Sequence, residues 1–141
     1  MPNWERIEIL RDHLTVMVET EYHHFDMKQY SWPLTPGKSI ATAEEVRRNG
    51  PECGSAGCFC LFIVVLFANP TATIDLRAWS LDEIPLWRAA RDYLELSQEE
   101  ADFMFLGSWL PYTNMEDITK DQAVKYLTKV LDYKMIEVRL K

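Results

Sequence analysis

The sequence predicts an all-α fold of about six helices packed around a buried central helix at 56–68. Every residue in that range is apolar or glycine, a run too long for a typical buried strand of roughly four to eight residues. Elsewhere, apolar residues recur every three or four positions, as on one face of a helix. Because the chain has 141 residues, 48% of them hydrophobic, we expect a single domain, 1–141, with one core.

The first predicted element is an amphipathic helix of about 20 residues that begins at Trp4, with Asn3 as its candidate N-cap. Its apolar face comprises Trp4, Ile7, Leu10, Leu14, Met17, Val18 and Tyr22. A stretch rich in proline and glycine then ends this helix. A second, short helix is expected over 42–49, because Thr42 and Glu45 form a capping-box pattern at its start.

Local sequence signals predict where four further helices start. Ser55 or Cys53 would begin the central helix. Pro85 fits the first turn of the next helix, and Ser97, followed three residues later by a glutamate, opens another with a capping box. Thr119 caps the last helix in the same way.

Two short segments, 73–78 and 135–140, alternate apolar and polar residues as strands do. We expect them to pair as a two-stranded antiparallel ribbon. A register that places Asp75 opposite Arg139 brings opposite charges together on one face and apolar side chains together on the other. The ribbon would lie on the helices, because an isolated ribbon is only marginally stable.

The charge distribution bears on function. The chain has a net charge of −7; residues 75–118 carry ten acidic and three basic side chains, whereas 119–141 carry three acidic and six basic ones. An acidic domain repels phosphates, so we expect no nucleic-acid partner. The acidic surface either maintains solubility or docks a protein partner with a basic surface, and both interpretations stay open.

The apolar pattern also bears on location. No apolar run reaches the ~20 residues of a membrane span, and the N-terminal residues lack the basic and then apolar pattern of a signal peptide. We therefore expect a cytoplasmic protein with no membrane partner. A chain of this size needs neither metal nor disulfide to fold, and we expect no cofactor.

The three cysteines, Cys53, Cys58 and Cys60, fall within eight residues. Their odd number and the absence of an export signal favour reduced, structural thiols. Zinc is not expected, because structural zinc sites usually need a second pair of ligands, and no second pair lies at a suitable spacing.

A cysteine-dependent hydrolase is the alternative function. Cys53 would be the nucleophile at the start of a helix, with His23 or His24 as the base and Asp26 orienting it. However, papain-like hydrolases place the catalytic histidine downstream of the cysteine, and no histidine follows position 24. The set of residue types therefore argues against catalysis.

Four short motifs occur in a fixed order, and their order is more specific than any one of them. They are Phe25-Asp26-Met27 with Trp32, Cys53-Gly54-Ser55-Ala56-Gly57-Cys58, Tyr93-Leu94-Glu95-Leu96-Ser97, and Ile118-Thr119-Lys120-Asp121-Gln122-Ala123. In these motifs the chain resembles a recurrent group of small bacterial and phage-type proteins with no established activity, and the resemblance covers roughly 4–131. The resemblance implies a helical fold and an intracellular bacterial or phage setting, and it implies no reaction.

We therefore expect a small acidic protein without enzymatic activity, of bacterial or phage origin, that acts by protein–protein interaction or as an inhibitor. In such a surface, carboxylates steer association and aromatic side chains anchor it. The candidate binding residues are Asp92, Glu95, Glu99, Glu100, Trp109 and Tyr112.

Overall fold

The fold combines helices and sheets, and the prediction of an all-α fold is wrong. The computed structural model describes residues 1–19, 23–27, 32–33, 40–49, 55–75, 80–110 and 117–140. Within these ranges lie six helices, a three-stranded sheet and a four-stranded antiparallel sheet. The strands are only two or three residues long, which is too short for the alternating pattern that identifies strands in a sequence.

The helices are α1 (Trp4–Val16), α2 (Ala43–Asn49), α3 (Phe59–Phe67), α4 (Leu86–Leu94), α5 (Gln98–Phe105) and α6 (Lys120–Tyr133). The strands are β1 (His23–Phe25), β2 (Trp32–Pro33), β3 (Ile40–Thr42), β4 (Ser55–Gly57), β5 (Thr73–Asp75), β6 (Ser80–Leu81) and β7 (Ile84–Pro85). The three-stranded sheet has the order β1-β4-β2, and the four-stranded sheet has the order β3-β5-β6-β7.

The central helix is present and buried as predicted, but it begins later. All side chains from Phe59 to Val65 are at most 2% exposed. The expected first residues, 55–57, instead form β4, which pairs in parallel with β1 and antiparallel with β2. Cys58 is the N-cap, and its Sγ accepts a hydrogen bond from the Cys60 N–H at 3.4 Å. An apolar run by itself does not distinguish a buried strand from a buried helix.

The first helix is shorter than predicted. The face formed by Ile7, Leu10 and Leu14 is buried, but the helix ends at Val16 and Met17 has extended backbone angles. Val18, which was assigned to the buried face, is 71% exposed. The β-branched valines at the end of this segment have a low helix propensity, which is consistent with the early end.

Four of the predicted helix starts are confirmed by their caps, whereas the central helix begins after its N-cap Cys58 and Pro85 precedes α4 as its N-cap. Asn3 Oδ1 accepts the N–H of Arg6 at 3.1 Å. Ser97 and Thr119 begin α5 and α6 with complete capping boxes, and Thr42 Oγ1 accepts an N–H in the first turn of α2. Each of these four caps joins residues three positions apart, so the sequence alone is sufficient to specify it.

The predicted ribbon is wrong. Strand β5 pairs with β3 and β6, and Ile74 lies opposite Ala41 and Leu81. The segment 135–140 forms no strand, and residues 76–79 of the other half of the ribbon lie outside the described residues. Burial of alternate side chains in the C-terminal segment, among them Ile136, reflects packing on the helices.

Aromatic side chains organise the core around α3. The ring of Phe59 lies 5.2 Å from that of Phe25 and 6.1 Å from that of Trp109, measured between centroids. Trp109 also stacks on Tyr126 at 4.6 Å with an interplanar angle of 17°. Helix α3 packs mainly on α4, and α1 packs mainly on α6. The surface of α4 that faces away from this core carries the candidate site.

Candidate functional site

The β6–β7 hairpin presents two carboxylates that the sequence analysis did not single out. Leu81 pairs with Ile84, so Asp82 and Glu83 form the two-residue turn. Both have positive φ angles, 43° and 72°, as a type I′ turn requires. Both side chains are exposed, and Ile84 beside them is 47% exposed. The pair Asp-Glu lacks the glycine that usually marks such a turn in a sequence.

Helix α4 follows directly and carries the next acidic residues. Arg88, Asp92 and Glu95 are exposed, and their spacing of four and three residues places them on one face. Asp92 Oδ1 accepts a hydrogen bond from Arg91 Nε at 3.2 Å. Because both partners of this surface pair are adjacent in sequence and partly solvated, the pair leaves the Asp92 carboxylate accessible to another protein.

Glu95 has a structural role in addition to its exposure. It ends α4 in a left-handed conformation with φ of 56°, and its Oε2 accepts a hydrogen bond from Asn3 Nδ2 at 2.8 Å. Arg6 adds a second link, donating to the Tyr93 carbonyl at 2.8 Å. These bonds fasten the end of α4 to the start of α1, so Glu95 is less available than the sequence suggests.

The two glutamates in the first turn of α5 differ in how available their carboxylates are to a partner. Glu99 is exposed in the first turn of α5, where its negative charge interacts favourably with the helix dipole. Glu100 is half-buried, and its Oε1 accepts the N–H of Ser97 at 2.9 Å within the capping box. Neutralising Glu100 would therefore weaken the helix as well as change the surface charge.

These side chains define a surface that we call the α4 face: Asp82, Glu83, Ile84, Arg88, Asp92, Glu95 and Glu99. The hairpin lies at the start of α4 and the two later glutamates lie at or just beyond its end, about 13 Å away along nine residues. The α4 face thus carries five carboxylates, one guanidinium and one exposed isoleucine. This arrangement favours association with a positively charged protein surface.

Trp109 cannot anchor a partner at the surface, which corrects the sequence prediction. Its side chain is fully buried, and Nε1 donates to the Met104 carbonyl at 2.9 Å. Gly107, with φ of 76°, turns the chain after α5 so that the indole enters the core and stacks on Tyr126. Tyr112, the other aromatic candidate, lies outside the described residues.

The structure brings two candidate hydrolase segments together in part. Strand β1 runs parallel to β4, with His23 opposite Ser55. His24 and Asp26 are half-buried and both engage in interactions. Cys53 lies outside the described residues. Strand β4, which begins two residues after it, is the strand that pairs with β1.

The other two thiols are enclosed in the core, as expected for structural cysteines. Cys58 is 1% exposed and Cys60 is fully buried, and both are free thiols. Burial opposes ionisation of both and is the largest single influence on Cys58, but hydrogen bonds to its sulfur from Cys60 and from the neighbouring backbone together lower the pKa of Cys58. Burial and the adjacent Cys58 sulfur raise the pKa of Cys60 well above its usual range.

His13 is a titratable residue to which the sequence analysis gave no role. It lies in the last turn of α1, half-buried, with its ring 6.0 Å from that of Phe62 on α3. Burial and the charge of Arg47 lower the pKa of His13 below its ordinary value. A histidine without a nearby polar motif gives no signal in the sequence, because its surroundings are contributed by two other helices.

Comparisons with known protein families, with curated proteins and with solved structures find no match to this chain. Among the described residues, no group of three or more histidine, cysteine, aspartate or glutamate side chains could hold a metal ion. In the same part of the chain, no helix is both long and apolar enough to cross a membrane. The α4 face is therefore the candidate site that the geometry supports best.

Proposed function

We propose that this chain is a small acidic interaction protein that docks a protein with a basic surface through the α4 face. One observation supports this most directly: four exposed carboxylates lie on the β6–β7 turn, on α4 and in the first turn of α5, namely Asp82, Glu83, Asp92 and Glu99. We place this interaction in the cytoplasm of a bacterium or a phage-infected cell, the setting that the sequence resemblance implies. The chain acts by occupying its partner's surface, as an adaptor or inhibitor does, and catalyses no reaction.

Two physical contributions would act at this surface. The carboxylates accelerate encounter with a basic partner and orient it, an effect that weakens as salt screens the charges. Ile84, at 47% exposure, supplies the apolar contact that the sequence analysis assigned to Trp109. Protein interfaces commonly combine apolar contacts at the centre with charged side chains at the rim.

The test is capture of a partner by the immobilised full-length chain from bacterial lysate at low and high salt. The double variant Asp92→Asn/Glu99→Gln should reduce the captured amount about fivefold, because two steering charges are lost. The matched control, Glu8→Gln/Asp12→Asn, neutralises two exposed carboxylates on α1 and should leave capture unchanged. Equal losses with both double variants would show a net-charge effect and would contradict the proposed surface.

A second pair of variants tests the apolar contact. Ile84→Ala should weaken capture, whereas Ile9→Ala on α1 should not, although Ile9 is 42% exposed and thus comparable with Ile84. Urea unfolding of all four variants shows whether they are folded. If the same protein is captured with undiminished yield by the Ile84 and Asp92/Glu99 variants, the α4 face does not bind it.

A cysteine-dependent hydrolase is the alternative, and the parallel pairing of β1 with β4 favours it, since His23 lies opposite Ser55. Iodoacetamide labelling of the folded protein at pH 6, mapped by mass spectrometry, distinguishes the two functions. Because Cys58 and Cys60 are buried, rapid labelling of the folded chain would report on Cys53. Stoichiometric labelling within minutes would support the hydrolase, and slow labelling supports the interaction protein.

A further inference from the structure

A groove that carries lysines, in contrast to the acidic α4 face, runs along the solvent-facing side of α6. It has a volume of about 360 Å³, and it is lined by Val124, Lys125, Thr128, Lys129, Asp132, Tyr133 and Leu140. One wall is α6 and the other is the C-terminal segment around Leu140. Tyr133 is 65% exposed along this groove, an unusual exposure for a large ring at the surface.

The C-terminal wall of the groove is held in place by the rest of the fold. The Leu140 N–H donates to the Trp109 carbonyl at 2.8 Å, and an Arg139 guanidinium nitrogen donates to the Ser108 carbonyl at 2.8 Å. Across the groove, Lys129 Nζ donates to the Arg139 carbonyl. The groove is thus formed before any ligand binds, which reduces the entropy that binding must overcome.

The groove is basic on an otherwise acidic protein. The first 118 residues carry 19 acidic and nine basic side chains, whereas residues 119–141 carry three acidic and six basic ones. Lys125 is exposed, and Lys129 Nζ lies 5.9 Å from the centroid of the Tyr133 ring with further N–H donors available. Among the described residues that line the groove, Asp132 is the one acidic side chain, and it lies seven residues, or about 10 Å along the helix, from Lys125.

We propose that this groove binds an acidic peptide segment of a protein partner, with carboxylates at Lys125 and Lys129 and an apolar side chain between Tyr133 and Leu140. Charge complementarity selects this occupant, since a basic segment would meet two lysines and an acidic one meets only Asp132. This binding is separate from the proposed function of the α4 face, which carries the opposite charge and lies on another helix. One chain would then contact two surfaces of opposite sign.

The test uses a fluorescein-labelled synthetic peptide of alternating glutamate and leucine residues, and a lysine–leucine peptide of equal length as its counterpart. Fluorescence anisotropy at low salt should show binding of the acidic peptide to the full-length chain. Lys125→Glu and Tyr133→Ala should each weaken binding about fivefold or more. Arg48→Glu on α2 is the matched control for charge reversal at an exposed base, and it should change affinity less than twofold.

Each other outcome would overturn the proposal. Equal weakening by Lys125→Glu and Arg48→Glu would show an effect of net charge alone. Binding of the lysine–leucine peptide that is lost in Tyr133→Ala would mean that the groove selects the opposite charge. Sedimentation that shows a concentration-dependent dimer lost in Lys125→Glu would assign the groove to a second copy of this chain. Because none of these measurements uses the carboxylates of the α4 face, the outcome does not depend on that function.

Discussion

Replacement of Gly107 by alanine is expected to destabilise the fold through two separable effects. Gly107 has φ of 76°, and a left-handed conformation costs an L-residue about 1–2 kcal/mol. A Cβ at this position would lie 2.8 Å from Ile118 Cδ1, well inside van der Waals contact. Relieving that overlap costs about 1 kcal/mol. Alanine also lowers the conformational entropy of the unfolded chain, which stabilises the folded protein by about 0.5 kcal/mol. The net expectation is a loss of about 2 kcal/mol in the free energy of unfolding.

A double-mutant cycle separates the two effects by urea unfolding. Ile118→Val removes Cδ1 and by itself should cost about 0.5–1.5 kcal/mol. In that background, Gly107→Ala should cost only about 1 kcal/mol, because the backbone strain remains and the overlap is gone. The coupling of about 1 kcal/mol measures the contact between the two side chains.

Two results would refute this reasoning. If Gly107→Ala costs the same in both backgrounds, the steric contact with Ile118 is absent. If it costs nothing, the left-handed turn that directs Trp109 into the core is not formed. Ser108→Ala, at the next and exposed position, is the control and should stay within about 0.5 kcal/mol of the parent protein.

Three further predictions concern stability. Because burial and Arg47 lower the pKa of His13, its neutral form is favoured in the fold. The free energy of unfolding should therefore fall as the pH drops below about 6.5, the value in the unfolded chain, and His13→Gln should reduce this dependence in urea titrations at pH 7.5 and 5.5. Tyr126→Phe removes the 2.7 Å hydrogen bond from the phenol to the buried Ile136 carbonyl and should lower the free energy of unfolding by about 1–3 kcal/mol. Tyr133→Phe, at an exposed position, should change it by almost nothing. The opposite order would contradict the role of Tyr126. Thr119→Ala should cost about 1 kcal/mol by thermal unfolding, since the cap of α6 is lost, and an unchanged melting temperature would mean that the cap contributes nothing.

The sequence predicted the acidic character of the candidate site but not all of the contacts that its side chains make. The acidic character of 75–118 could be counted directly, and Asp92 and Glu99 are exposed as a binding role requires. The sequence did not reveal that Glu95 is bonded to Asn3, although it predicted the capping box between Ser97 and Glu100. The first of these contacts joins residues 92 positions apart, which no local pattern encodes.

The hairpin at Asp82 and Glu83 was missed for a different reason. Each of its strands has two residues, and its turn lacks glycine, so neither alternation nor turn composition marks it. Pairing of Leu81 with Ile84 closes the turn, and β6 also pairs with β5 outside the hairpin. Strand pairing rather than local composition therefore formed this part of the α4 face.

The sequence by itself determined the presence of six helices and the caps of four of them, because a helix is built from contacts between residues three and four positions apart. Ser97 with Glu100 and Thr119 with Gln122 needed nothing else. The tertiary structure alone decided that 55–57 is a strand, because a strand gains its hydrogen bonds from segments distant in sequence. It also decided that Trp109 is buried, since the cavity for the indole is formed by α3, α5 and α6 together, and no local pattern of residues specifies it.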